Sequence, residues 1–351
     1  MEKIRLGISM GDFNGVGIEV IIKTLSNNKI LEYCTPIVYG SSKVFSYHKN
    51  IVKADEMQVQ NINNAERPYS GRVNVVNCWQ ENVSVTLGKA TVDGGKYAYI
   101  ALDRACGDLS NGLIDVLVTA PINKEAMKMA EFPYPGHTEY LTKKFGGSES
   151  IMLMVNGDLR VGLLSNHIPV SEVASKVTKE HFVKKLKIFN RALKQDFGIE
   201  RPTIAVLGLN PHAGDNGTIG SEEIDVIRPA IIEAKKNGAM VMGPYPADGF
   251  FGNREYLKFD GILAMYHDQG LIPFKALSFG NGVNYTGGLK IIRTSPDHGT
   301  AYNIAGQNMA DPSSFRNAVY AAMDIFRNRN DHQETHADPM KKKPKPSEEK
   351  E

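Results

Sequence analysis

Short apolar runs alternate along most of the chain with segments of helical periodicity. Residues 1–10 read as a first strand, ended by the turn Gly11-Asp12-Phe13-Asn14-Gly15-Val16-Gly17, with a helix following to about Leu25. Asp115-Val116-Leu117-Val118-Thr119-Ala120 predicts a short buried strand. Pro121 stops it, and Asn123 caps a helix from Lys124 to Ala130. Phe182, Leu186, Phe189, Leu193 and Phe197 recur every three or four residues, the core-facing stripe of a helix that Gly198 ends. Ser221-Glu222-Glu223 opens another helix with acids at its positive dipole end. A last helix begins at Ser313 or Ser314, with Phe315, Val319, Met323 and Phe326 on one face. The stretch from about Asn50 to Thr86 mixes pieces such as Val73-Asn74-Val75-Val76 with polar turns and predicts irregular structure. Beyond about Asn330 the apolar period is lost, so residues 331–351, with the run Lys341-Lys342-Lys343, are expected to form a disordered, solvated tail. The alternation as a whole favours an α/β fold.

Three of the apolar runs end on a histidine. Val161-Gly162-Leu163-Leu164-Ser165 leads to His167, Ile204-Ala205-Val206-Leu207 leads to His212, and Gly261-Ile262-Leu263-Ala264-Met265 leads to His267. In open α/β sheets ligands bind beyond the carboxyl ends of the strands. Three imidazoles at that edge suit one divalent metal with a position left for a substrate oxygen. Pattern alone supports separate structural roles for them equally well. Asp268 and Asp215, close after two of them, read either as acceptors orienting a ring or as loop caps. His137 and His298 also lie in loop-like stretches, whereas His48, His181, His332 and His336 read as solvated.

Composition narrows the class. A chain of 351 residues predicts two lobes or one large α/β unit, and 42% hydrophobic with 23% charged residues is ordinary for a globular protein. A net charge of +2 gives no ground for a nucleic-acid surface. Cys34, Cys78 and Cys106 lack Cys-x-x-Cys spacing, which argues against a disulfide framework or thiolate metal site and fits a reducing cytoplasm. No apolar run approaches the roughly 20 residues that span a bilayer, so no membrane association is expected. The N-terminal residues read as a strand and not as a signal peptide.

Two further features carry chemistry. Lys275, the glycine-rich stretch Gly280-Asn281-Gly282-Val283-Asn284, and Arg293 at the end of an apolar run suit an anionic substrate, since lysine supplies a point charge and arginine a planar fork. The turn from Gly11 to Gly17 offers amides at a helix start that can bind an anion. Its spacing matches neither the dinucleotide nor the phosphate-loop fingerprint, and a structural turn explains it as well.

Asp297-His298-Gly299-Thr300-Ala301-Tyr302-Asn303-Ile304-Ala305-Gly306 resembles the loop that lines the adenosine end of NAD(P) in the isocitrate and isopropylmalate dehydrogenase superfamily. Within that superfamily the chain resembles the PdxA family of vitamin B6 biosynthesis from its first strand to about Asn328. The resemblance rests on Gly11-Asp12 with Gly15-Val16-Gly17, Thr119-Ala120-Pro121-Ile122-Asn123-Lys124, Gly136-His137-Thr138-Glu139, Asn210-Pro211-His212-Ala213-Gly214, Tyr266-His267-Asp268-Gln269-Gly270 and Ile292-Arg293-Thr294-Ser295. It implies one catalytic unit of two interleaved α/β lobes over residues 1–330, with a cleft between them. It implies a homodimer with active sites at the subunit interface. His167, His212 and His267 carry over as ligands of a zinc, magnesium or cobalt ion. His137, Thr138, Lys275, Asn284 and Arg293 carry over as substrate-binding residues, and His298, Gly299, Thr300, Ala301 and Asn303 as NAD or NADP contacts.

The implied reaction is metal-assisted oxidation of 4-phosphooxy-L-threonine at its C3 hydroxyl, followed by decarboxylation. Asp248, Asp268 and Lys124 are the candidate general bases. Phe13 and Ile18 stand where the family often has proline, and Gly287-Gly288-Leu289-Lys290 replaces its usual Leu-Gly-Leu-Pro, placing a charge near Arg293 in sequence. That change leaves open a relative acting on threonate or erythronate 4-phosphate. A non-catalytic phosphometabolite-binding module is the alternative from another class.

Overall fold

The structure, a computed structural model, describes residues 3–145 and 149–337. Its framework is one mixed sheet of twelve strands. These are β1 (Ile4–Ser9), β2 (Cys34–Gly40), β3 (Val59–Ile62), β4 (Val73–Asn77), β5 (Val116–Thr119), β6 (Ile151–Asn156), β7 (Leu159–Leu163), β8 (Thr203–Leu207), β9 (Met240–Tyr245), β10 (Gly261–Ala264), β11 (Val283–Gly287) and β12 (Arg293–Pro296). Their spatial order is β3-β4-β2-β1-β5-β12-β11-β6-β7-β10-β8-β9. Strands from residues 4–119 build one half and strands from 151–287 the other. β12 returns across the sheet to pair parallel with β5, while β11 pairs antiparallel with β12 and β6. The expected α/β class is the class observed.

At the middle of the sheet the two faces differ, as the two-residue period of a strand requires. One cross-strand row holds Leu153, Tyr285 and Thr294. Tyr285 is fully buried, its hydroxyl donates to Asp196 at 2.6 Å, and the Thr294 hydroxyl donates to the Ala318 carbonyl at 2.7 Å. This face therefore lies under the helices Lys179–Gln195 and Ser313–Ala337. The next row holds Met154, Asn284 and Ser295, which face a cavity instead.

The helix Lys179–Gln195 buries Phe182, Leu186, Phe189 and Leu193, as its stripe predicts. Phe197 lies past its end, edge-on to Tyr285 with 5.8 Å between ring centroids. Phe189 sits against two glycines of neighbouring strands. A Cβ on Gly261 would stand 2.6 Å from its ring, so glycine there is what lets the helix approach the sheet.

Several expectations are corrected. The region read as irregular contains β3 and β4, paired in parallel. β3 is an edge strand with the polar sequence Val59-Gln60-Asn61-Ile62, and an edge has one flank in water, so its pattern is weak. The last helix runs through Ala337, so residues 331–337 are helical; the lysine run lies outside the described residues. Just before those turns the helix is anchored by polar contacts that an apolar period does not register, Arg329 to Asp196 at 2.6 Å and Asn328 to the Asp196 carbonyl at 2.9 Å. Once packed, a helix extends by one hydrogen bond per residue at little further cost. Among the described residues no helix is long and apolar enough to cross a membrane.

His48 is fully buried, not solvated, and its Nε2 lies 2.9 Å from the Phe13 carbonyl, so Nε2 carries the proton. His181, also read as solvated, meets the Leu164 carbonyl at 3.0 Å. Burial pulls the His48 imidazole down to about 4. The unfolded chain, with an ordinary histidine near 6.5, then binds a proton between those limits that the folded chain does not. Stability therefore rises with pH from about 4 to 6.5, His48 contributing at most about 3 kcal/mol to the change. Urea unfolding across that range checks it: replacing His48 by Gln should flatten the slope, and an unchanged slope would contradict the assignment.

Candidate active site

The open face of the central strands floors a cavity of about 350 Å³. Arg293, the first residue of β12, enters it from below and is only 3% exposed. Its Nε and Nη2 donate to the Thr119 hydroxyl at 3.0 and 2.7 Å, its Nη1 donates to the Thr286 hydroxyl at 3.3 Å, and Nη2 also meets His137 Nδ1 at 3.0 Å. Among the described residues no carboxylate forms an ion pair with it. Burial lowers the guanidinium to about 10, which still leaves it charged at neutral pH. A buried charge held only by neutral groups is costly unless an opposite charge joins it.

The neighbours are arranged for an anion. An arginine only donates, so His137 Nδ1 accepts, and the proton of the neutral ring sits on Nε2. Burial, with Arg293 alongside, holds the His137 imidazole well below its ordinary range. Among the described residues the resulting Nε2–H is buried without a partner, as is Asn284 Oδ1. His137 also opens the helix His137–Lys144, whose first-turn amides lack a side-chain cap at Gly136 and carry the positive end of the helix dipole. Thr138 and Lys275 line the same cavity, and Lys275 donates to the Asp297 carbonyl at 3.3 Å. The five expected substrate residues thus stand around one space.

The histidines follow from topology. β10 pairs in parallel with β7 on one side and β8 on the other, so His167, His267 and His212 leave three adjacent strand ends. Neighbouring strands lie roughly 5 Å apart, which brings all three to one edge. His167 and His267 come together, with 5.8 Å between ring centroids. Asp268 Oδ1 stands 2.7 Å from His267 Nδ1 and so orients the ring, the first of the two roles open for it. Gln269 straps β10 to β8, accepting from the Met265 amide at 2.8 Å and donating to the Gly208 carbonyl at 2.6 Å.

His212 is presented differently. It lies in a left-handed turn in which His212, Ala213, Gly214, Asp215 and Asn216 have φ of 53, 51, 80, 40 and 54°. The buried Glu223 steadies the turn, accepting from Asn210 N at 2.8 Å and Asn210 Nδ2 at 2.9 Å. His212 faces a second cavity of about 570 Å³ shared with Asp248, Tyr266 and Asp268. Among the described residues no three histidine, cysteine or acidic side chains gather as a metal-holding group. The chain brings the three imidazoles to one edge without closing them into one cluster.

Other expectations divide. Lys124 lines the Arg293 cavity and Asp248 does not. His298 and Gly299 also line it, while Thr300, Ala301 and Asn303 lie farther along the same loop. Residues 11–20, the first glycine turn and the helix start, are buried, and three amides of the turn are occupied internally: Asn14 N donates to Asp12 Oδ1, Gly15 N to the Asp12 carbonyl and Val16 N to the Thr300 carbonyl. The turn is structural. Lys290 does not line the Arg293 cavity; it lies with Arg191, Arg329 and His332 around a separate one.

Thr119 and Glu139 were not singled out from sequence. Thr119 ends β5, so the strand-end rule that flagged the histidines would have found it. Glu139 belongs to the motif containing His137; it stands 4.0 Å from His167, which holds its carboxyl below the usual range.

Residues 32–322 match the family model of the pyridoxal phosphate biosynthetic protein PdxA. A 4-hydroxythreonine-4-phosphate dehydrogenase of Bacteroides thetaiotaomicron is 52% identical over 342 residues, 97% of this chain and 94% of that protein. The chain belongs to the PdxA family. A PdxA relative from Aquifex aeolicus, named likewise, is 42% identical over 92% of this chain and 98% of its own length. The crystal structure of 4-hydroxythreonine-4-phosphate dehydrogenase from Klebsiella pneumoniae aligns with a TM-score of 0.79 at 33% identity, covering 92% of this chain and 98% of that one. A terephthalate 1,2-cis-dihydrodiol dehydrogenase from Burkholderia xenovorans shares the fold, at a TM-score of 0.62 and 21% identity. As a PdxA protein the chain is a dehydrogenase of pyridoxal phosphate biosynthesis.

The His137 assignment is open to direct measurement. Nitrogen NMR of the ligand-free protein should show His137 as the neutral Nε2–H tautomer from about pH 8 down through its ordinary midpoint near 6.5. A titration at that midpoint would contradict the site electrostatics.

Proposed function

We propose that this PdxA enzyme oxidises 4-phosphooxy-L-threonine to 2-amino-3-oxo-4-phosphooxybutanoate, with NAD or NADP as co-substrate. The product is a β-keto acid whose ketone accepts the electrons released as CO2 leaves, giving 3-amino-2-oxopropyl phosphate. The observation that carries this reading is Arg293, a buried guanidinium that among the described residues has no carboxylate partner, beside the Nε2–H of His137, unpartnered among the same residues. A phosphate at that point would meet the guanidinium charge, the one Nη1–H of Arg293 not already given to Thr119, Thr286 or His137, and the first amides of the helix His137–Lys144. Lys275 and Thr138 border the same space, and Asn284 offers an acceptor for the substrate's ammonium group.

We assign His167, His212 and His267 as the holders of one divalent ion, zinc, magnesium or cobalt. Their donor chemistry fits such an ion, and Asp268 already orients one ring. When bound, the ion supplies Lewis acidity at the hydroxyl being oxidised and the nicotinamide takes up hydride. Of the three candidate bases, Lys124 lines the Arg293 cavity, Asp268 is engaged with His267, and Asp248 stands in the neighbouring cavity; we therefore favour Lys124. His298, Gly299, Thr300, Ala301 and Asn303 are proposed to hold the adenosine end of the dinucleotide.

A homodimer is proposed to complete the site, since one chain leaves His212 apart from the other two imidazoles. Its support is apolar exposure around the helix His267–Ser278, where Ile272 and Phe279 are 66 and 85% exposed. A cytoplasmic location agrees with the three unpaired thiols. The threonate and erythronate reading loses its motive, because Lys290 lies outside the substrate cavity. The binding-module reading ends with membership of a dehydrogenase family.

Reduced-nicotinamide absorbance should rise with 4-phosphooxy-L-threonine and far less with four-carbon phosphorylated acids lacking the amine; the reverse order would overturn the substrate assignment. Arg293→Ala should raise KM for the phosphorylated substrate about 10–100-fold, the worth of a hydrogen bond to a charged group, with a much smaller change in KM for the dinucleotide. Equal effects on both would argue against an anion clamp. His212→Ala should lower bound metal by elemental analysis while circular dichroism stays native; full metal content in that variant would remove His212 from the ligand set.

A further inference from the structure

We propose that Glu19 is a positioning residue for the dinucleotide: its buried carboxylate fixes the loop 298–308 in the conformation that receives the adenosine end. This rests on the assignment of that loop made above.

Glu19 lies in the first turn of the helix Gly17–Leu25 and has no solvent exposure. Its Oε1 accepts from the Gly306 amide at 2.6 Å and its Oε2 from the Asn308 amide at 3.1 Å. One helical turn later Lys23 donates to the carbonyls of Asn308 at 2.9 Å and Ala310 at 2.7 Å. An acceptor and a donor spaced by four residues thus hold both kinds of backbone group in residues 306–310. The loop needs such a hold. Gly306 and Asn308 have φ of 81 and 55°, and a Cβ at Gly306 would stand 2.4 Å from Leu87. Left-handed backbone of this kind persists only where its surroundings enforce it.

The upstream end of the loop is fixed from the same part of the chain. Val16 N donates to the Thr300 carbonyl at 2.9 Å, and the Tyr302 hydroxyl donates to the buried Asp12 at 2.5 Å. At Gly15 a Cβ would lie 2.6 Å from the Thr300 carbonyl oxygen, so the turn and the loop are in direct contact. The first glycine turn and its helix are therefore the seat of the loop. Glu19 does not line the substrate cavity, so it acts through the loop.

A carboxylate is required because both its oxygens must accept. Glutamine has the same shape but turns one acceptor into a donor that faces an amide N–H. In the full-length enzyme, Glu19→Gln should speed hydrogen exchange in residues 299–310, weaken NAD binding about tenfold by calorimetry, and raise KM for NAD. It should leave kcat at saturating NAD, and KM for the phosphorylated substrate, unchanged. Unaltered exchange would show that Glu19 does not hold the loop. Faster exchange with unaltered NAD affinity would also overturn the proposal, and Asn303→Ala then locates the failure. If Asn303→Ala weakens NAD binding, only the role of Glu19 is wrong. If it does not, the loop is not the dinucleotide site. Should Glu19→Gln fail to fold, Lys23→Met, which removes only the half-buried grip on Asn308 and Ala310, is read by the same measurements.

Discussion

Arg293 carries a positive charge into the middle of a sheet and finds there two hydroxyls and one imidazole nitrogen. Much of the active face follows from that. The guanidinium fixes the His137 tautomer, because its donor leaves Nδ1 only the role of acceptor. Among the described residues that tautomer leaves a second donor, Nε2–H, buried without a partner. Desolvation keeps His137 neutral, so the cluster holds one cation and not two. The guanidinium thus carries a standing electrostatic cost that a neighbouring anion would relieve.

The sheet makes this possible by its change of strand direction. Around β11 the pairing is antiparallel, while the outer strands run parallel. The antiparallel centre places Asn284, Ser295 and Met154 in one row facing the cavity, with Tyr285 and Thr294 turned toward the helices. The parallel group β7-β10-β8 delivers three histidines to the neighbouring edge. The Arg293 cavity and the histidine edge are thus two products of one sheet, joined where His267 and Lys275 share a helix.

Local sequence made much of this legible. The Phe182 to Leu193 stripe, the Asn123 cap and the strand-end histidines depend on periods and short-range hydrogen bonds that a few residues specify. Elements held by distant polar contacts were less visible. The edge strand β3 has a weak pattern, the last helix is secured by Arg329 on Asp196, and His48 is buried against a carbonyl 35 residues away.

The residue types of the site, and their delivery to strand ends, were settled by the sequence itself, because a strand followed by a loop determines where its next residues emerge. Which of those residues meet was decided by the tertiary structure. Strand order put His267 between His167 and His212, and a left-handed turn then aimed His212 into another cavity. Pairing of β12 with β5 joined Arg293 to Thr119, 174 positions away. Packing of the first helix made Glu19 a partner of Gly306 and Asn308. Contacts of that range carry no period along the chain, and they exist only once the sheet has closed the distance.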